Sequence, residues 1–206
     1  MEKFDLNKVL ISFQNSIKDE DDVILEYYLK AYREVNRFFQ LMGSVFTFVS
    51  NDILSKITIL EDFLQDNKTQ EHFKTVETLM KYEKDSNLFA DEAYVSGSRT
   101  LLRLHRGLEF IYEFLQKLAV LEDNEKTSSC CKSSYNNTLA KYHPWVVRKA
   151  ANVAMYALPC QGDLLRKVCI DVPRAVQELP EMLKFTKIVY DRVELLYTTH
   201  DLHWLP

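Results

Sequence analysis

Glycine is scarce in this chain: four residues in 206, against roughly 14 at an average usage of about 7%. Proline is nearly as rare, at five. So few punctuators between long runs of Leu, Lys, Glu, Phe and Tyr predict an all-helical protein. A basic surplus is missing too; the formal net charge is −4, which argues against nucleic acid as a partner. No apolar run approaches the roughly 20 residues that span a bilayer. The opening Met-Glu-Lys-Phe-Asp-Leu is charged and amphipathic rather than a signal-peptide apolar region, so a cytosolic protein is expected. The four cysteines (Cys130, Cys131, Cys160, Cys169) show no paired metal spacing. Adjacent Cys130-Cys131 is a poor disulfide candidate, and free thiols are expected. Without secretion, the N-x-T sequons at Asn67 and Asn136 carry no weight. The glycine-rich phosphate loops, the serine-hydrolase elbow and the zinc-protease helix motif are all absent. His200 and His203 come closest to metal spacing, but no acidic partner accompanies them. No metal and no cofactor are expected.

What is present is helical periodicity. Leu6, Val9, Leu10, Phe13 and Ile17 share one face over residues 5–18, and the acidic run Asp19 to Asp22 closes that segment. A second helix over 23–41 carries Leu25, Leu29, Tyr32, Phe38 and Phe39. Gly43-Ser44 interrupts, and a third helix runs from Val45 to about Leu64. A polar link from Asp66 to Gln70 leads to a fourth over 70–89. Ser98 is the expected N-cap of a fifth, ending near Leu118. Residues 122–134, polar and of low complexity, read as a surface loop. Pro144 disfavours helical geometry at His143 and suits the first turn of a helix beginning there, which Pro159 ends. Three stretches, 164–170, 172–183 and 185–200, predict the last helices. No repeat and no linker divides the chain, so residues 1–206 are expected to form one domain.

Several polar residues fall where a helix should be apolar. Asp52 and Lys56 are i, i+4 neighbours on the stripe that carries Val45, Val49 and Ile59. As a surface ion pair they would contribute about 0.3–0.5 kcal/mol and need no ligand; within a buried stripe they are costly unless paired or used. Arg99, Arg103 and Arg106 share one face of the fifth helix, and no carboxylate stands among them before Glu109. A solvated face would explain Arg106. For Arg99 and Arg103 an anion is the more economical partner, because a guanidinium fork matches phosphate oxygens. The same stripe continues through the apolar Phe110 and Phe114. His143 precedes Pro144-Trp145; as a neutral ring it suits a polar, uncharged ligand group, although a lone histidine is more often structural. One carboxylate, three cations and an imidazole beside apolar faces match a ligand with a phosphate, an amide and long hydrocarbon chains, which is a phosphosphingolipid.

The segments NDILSKITILE, SGSRTLLRLHRGLEFI and YHPWVV closely resemble the signatures of the glycolipid transfer protein superfamily, and the resemblance spans essentially the whole chain. It implies an all-α, two-layer helical sandwich around an apolar lipid pocket, and non-enzymatic transfer of single sphingolipids between membranes. It further implies that Asp52 and His143 bind the sphingolipid amide. The sugar-binding branch has asparagine at the position of Lys56 and tryptophan at that of Arg103. Two cations in their place imply phosphate recognition and ceramide-1-phosphate as the ligand. On this reading Asp52, Lys56, Arg99, Arg103 and His143 form the headgroup site, with Val45, Val49, Phe110, Phe114 and Val153 along the pocket. Trp145 and Arg106 are expected at the membrane surface, where an indole favours the interface; core packing is the alternative for Trp145. The protein is expected to be a monomer that touches Golgi, plasma-membrane and endosomal surfaces transiently. Two other readings use the same residues. One is a lipid sensor whose liganding controls a protein partner; the other is a lipid-modifying enzyme, which would lack an evident nucleophile.

Overall fold

The computed structural model describes residues 2–18 and 21–206; Asp19 and Glu20, expected to help close the first helix, lie outside them. Among the described residues there are nine α-helices and no strands. They are α1 (Leu6–Ser16), α2 (Leu25–Met42), α3 (Thr47–Gln65), α4 (Val76–Asp85), α5 (Gly97–Leu118), α6 (Thr127–Thr138), α7 (Trp145–Tyr156), α8 (Gln161–Val168) and α9 (Val172–His200). In contact order α1, α2 and α3 lie side by side, and so do α9, α5 and α6. The result is a two-layer helical sandwich with α5 near its centre, touching α3, α4, α6 and α9. Buried side chains from all nine helices meet in one apolar cluster.

The apolar spacing seen in the sequence is what packs. Leu6, Val9, Leu10 and Phe13 of α1 are buried, as are Leu25, Leu29, Tyr32, Phe38 and Phe39 of α2. Gly43 ends α2 at φ +128°, a conformation that glycine adopts readily. Asp22 does not end a helix at the surface. It is buried, and its carboxylate accepts from the N–H of Val23 and of Glu77 at the start of α4.

Four boundaries differ from the sequence reading. The helix expected over 70–89 is cut to α4, between short 3₁₀ turns at Gln70–His72 and Leu88–Ala90. Thr75 and Thr78 form a reciprocal capping box at its start, and Asn87 turns left-handed (φ 52°) beyond its end. The N-cap of α5 is Ser96, whose hydroxyl accepts from the Arg99 N–H at 3.1 Å; Ser98 lies inside the helix. The stretch expected as a surface loop contains most of α6. Its Cys130, Cys131, Ser134, Tyr135 and Thr138 are buried at helical spacing, so small polar residues and thiols fill an inner face usually marked by Leu or Ile. All four cysteines are free. Finally, the segments on either side of Pro180 form one helix, α9. Pro180 is on the exposed face, one turn after the exposed Val176, so the carbonyl it leaves without a donor can be hydrated.

α5 is held at both ends of its polar half. His105 is 1% exposed, bonds Glu194 of α9 at 2.7 Å and stacks on Tyr190. Burial lowers its pKa against the opposing pull of Glu194. The Tyr197 hydroxyl of α9 donates to the Ser98 carbonyl at 2.7 Å.

Candidate functional site

Helices α2, α3, α5, α6 and α7 enclose a cavity of about 560 Å³, within the 300–1,000 Å³ usual for ligand sites. Its walls are mostly apolar, with Phe39, Phe46, Val49, Phe110, Ile111 and Met155 among them. Its polar lining includes Asp52 and Lys56 from α3, Arg103 and Arg106 from α5, and His143 from the extended segment before α7. Asp52 and Arg103 are exposed, so the charged end is the open end.

The Lys56 ammonium contacts Asp52 Oδ1 at 2.5 Å, with the lysine side chain 13% exposed and the aspartate 68%. The i, i+4 ion pair therefore forms, yet its cation is largely sunk into the cavity wall. Asp52 keeps a second carboxylate oxygen free to accept. Arg103 donates from Nε to the Pro206 carbonyl at 3.2 Å, which leaves its two terminal nitrogens available. His143 Nδ1 meets the Tyr135 hydroxyl at 2.9 Å. Burial lowers the His143 pKa; Asp52 pulls upward and Lys56 downward. Burial thus favours the neutral ring.

Not every expected residue borders the cavity. Arg99 stands one turn before Arg103, half-buried, and its Nε is buried with no hydrogen-bond partner among the described residues. Val45 precedes α3 and is 40% exposed. Val153 is 68% exposed, because α7 turns Val147, Ala151, Ala154 and Met155 inward at helical spacing and so points Val153 away. Phe114 is core: 1% exposed, parallel to Phe110 and tilted against Phe38. Arg106, expected at the membrane, turns inward. It donates to the carbonyls of His203 and Leu205, each at 3.2 Å, and its guanidinium lies 4.1 Å from the Tyr142 ring centre. With those contacts made, it is part of the wall. Trp145 is 64% exposed, with the Lys149 ammonium 5.5 Å from its ring, which excludes core packing.

A model of the glycolipid transfer protein (GLTP) family matches residues 23–170. The chain belongs to the glycolipid transfer protein family. Within it, this member is 39% identical to the ceramide-1-phosphate transfer protein of Xenopus laevis, over 100% of this chain and 98% of the relative. The crystal structure of the mouse ceramide-1-phosphate transfer protein in its apo-form superposes with a TM-score of 0.90 at 37% identity, covering 98% of this chain and 100% of that one. The human ceramide-1-phosphate transfer protein in complex with 2:0 ceramide-1-phosphate gives 0.89 at 36% identity, covering both chains fully.

Sequence reasoning missed Tyr135, Cys131, Tyr142 and the inner face of α7, all of which line the cavity. Cys131, Tyr135 and Leu139 lie four residues apart, a periodicity that was available but carried by a thiol and a phenol amid Ser and Asn.

Proposed function

We propose that this protein carries single ceramide-1-phosphate molecules between membranes through the cytosol, as a monomer with residues 1–206 acting as one unit. The observation that carries this reading is the joining of Lys56 and Arg103 to an apolar cavity of about 560 Å³. Lys56 and Arg103 bind the phosphate, and Arg99, with its unpartnered Nε one turn away, completes the cation set. Asp52 accepts from the sphingoid amide N–H, and His143 donates to the amide carbonyl. Val49, Phe110 and their neighbours enclose the chains, and burial at about 0.8 kcal/mol per CH₂ supplies most of the affinity. The similarity to relatives named for ceramide-1-phosphate transfer supports the same ligand here. No bond is made or broken.

Vesicle transfer assays on Asp52→Ala and His143→Ala test the amide contact. Each variant is expected to slow ceramide-1-phosphate transfer by about 5- to 160-fold, since one hydrogen bond to a charged or buried partner is worth about 1–3 kcal/mol. Asp52→Ala should sit at the lower end, because that side chain is 68% exposed. Phosphatidic acid, which has no amide N–H, should be transferred poorly by the wild type; equal rates for the two lipids would remove the amide-reading role.

Trp145 is the proposed membrane contact. Its exposed indole follows the site segment directly, beside the exposed Val146, Arg148 and Lys149. Trp145→Ala is expected to lower partitioning onto anionic vesicles about tenfold, with folded stability and lipid binding in detergent unchanged. The attraction should weaken with added salt, as the Debye length shrinks to about 8 Å at physiological ionic strength. Wild-type partitioning by the variant would place the docking face elsewhere.

A further inference from the structure

Tyr135 stands on α6, and its ring meets Phe110 edge-on across the cavity wall, centroids 6.3 Å apart and planes at 87°. Its hydroxyl contacts His143 Nδ1 at 2.9 Å. The tyrosine is 4% exposed, and its hydroxyl makes no other hydrogen bond among the described residues. His143 belongs to a different segment, extended at φ −104°, ψ 136° before Pro144. A side chain from a neighbouring helix is thus what fixes its ring.

Two proton arrangements fit this contact. In one, the phenol donates to a bare Nδ1 and the imidazole carries its proton on Nε2. In the other, Nδ1–H donates to the phenol oxygen; the phenolic proton then has no acceptor among the described residues, and Nε2 becomes an acceptor. The first arrangement pairs the hydroxyl of the 4%-exposed tyrosine and leaves Nε2–H of the half-buried histidine toward the cavity, whereas the second leaves the tyrosine's own donor without a protein acceptor, which favours the first. Burial favours the required charge state of both groups. Burial raises the Tyr135 pKa, with Arg148 opposing, so the phenol keeps its proton; burial favours the neutral His143 ring.

We propose that Tyr135 is a positioning residue that locks His143 as the Nε2–H tautomer, so that the ring can donate to a carbonyl in the cavity but cannot accept from an N–H. This rests on the reading of His143 as the partner of the amide carbonyl, and it deepens that reading. An ionised Asp52 can only accept and the locked His143 can only donate, so the two ends of an amide are told apart by polarity as well as by place.

The test begins with nitrogen-15 NMR of the histidine rings in the lipid-free wild type, with His143 assigned by its loss in His143→Ala. The expected spectrum has Nε2 protonated and Nδ1 bare. In Tyr135→Phe the Nδ1 hydrogen bond should vanish and the His143 titration midpoint should rise, because the phenol's bond favours the neutral ring. Transfer of ceramide-1-phosphate by Tyr135→Phe should fall about three- to tenfold, and the same substitution should cost nothing further in a His143→Ala background. A proton on Nδ1 in the wild type overturns the proposal. So does an equal loss from Tyr135→Phe with or without His143, since the phenol would then act through packing. If the tautomer is as expected but His143→Ala transfers at the wild-type rate, the lock stands and the amide reading fails.

Discussion

Lys56→Asn combined with Arg103→Trp is expected to slow ceramide-1-phosphate transfer between vesicles about a hundredfold or more. Charge-assisted hydrogen bonds are worth about 1.5–3 kcal/mol each, so losing two removes about 3–6 kcal/mol, a factor of about 10²–10⁴. Arg103 is exposed, which puts the expectation at the lower bound. Neither cation supports the core. Lys56 pairs with Asp52 alone, and Arg103 contacts one carbonyl of the segment after α9. The double variant should therefore unfold at the wild-type temperature, separating loss of recognition from loss of fold. Tryptophan also offers a stacking face in place of a fork, so the same variant should gain measurable transfer of a glycosylceramide. Wild-type transfer of the phosphate lipid by the double variant would show that these cations do not read the headgroup.

Glu83→Ala is expected to destabilise the fold by about 3–5 kcal/mol, the cost of leaving several buried donors without their charged acceptor. Glu83 is 0% exposed. Its carboxylate accepts from the Tyr94 hydroxyl at 2.9 Å, the Ser96 hydroxyl at 2.9 Å, the Gly97 N–H at 2.6 Å and the Ser98 N–H at 2.9 Å. The last two belong to the first turn of α5, where the helix dipole favours negative charge. Gly97 is tightly packed at this turn: an added Cβ would meet the Phe73 ring at 3.0 Å and Leu79 at 3.1 Å, so those side chains would have to give by a few tenths of an ångström. At about 2–4 °C per kcal/mol for a chain of this size, the melting temperature should drop by roughly 10 °C. Because the same turn leads into Arg99 and Arg103, transfer should fall at temperatures where the variant is still folded. Glu83→Gln, which keeps the shape and part of the acceptor capacity, should recover some of both. A loss below about 1 kcal/mol in urea unfolding of Glu83→Ala would contradict the assigned role.

Much of this architecture was legible because burial follows periodicity. The stripes on α1 and α2 needed only Leu, Val, Phe and Tyr at three- and four-residue spacing, and those residues are the buried ones. The polar half of the site was legible for a related reason: Asp52, Lys56 and Arg103 interrupt apolar faces, and all three border the cavity. α6 was hidden because its buried face is made of thiols, hydroxyls and one phenol, which no hydropathy pattern marks. With α6 unseen, the tyrosine that contacts His143 went unseen too. Arg106 shares its stripe with Arg103, but its partners are carbonyls some hundred residues further along the chain, and helical spacing says nothing about such distant contacts. Val153 was misplaced by the same limit: apolar character does not say which side of a half-exposed helix faces the cavity.

The most direct test of the central claim is a transfer assay between vesicles in which chain composition is held constant and only the headgroup varies, using ceramide-1-phosphate, glucosylceramide, sphingomyelin and, for the backbone, phosphatidic acid. The cation cluster and the amide contact together predict that ceramide-1-phosphate moves at least about tenfold faster than each of the others, because glucosylceramide brings no anion to the cations, sphingomyelin brings a singly charged phosphodiester capped by a bulky choline cation, and phosphatidic acid brings no amide. Transfer of glucosylceramide at the same rate as ceramide-1-phosphate, or faster, would contradict the account.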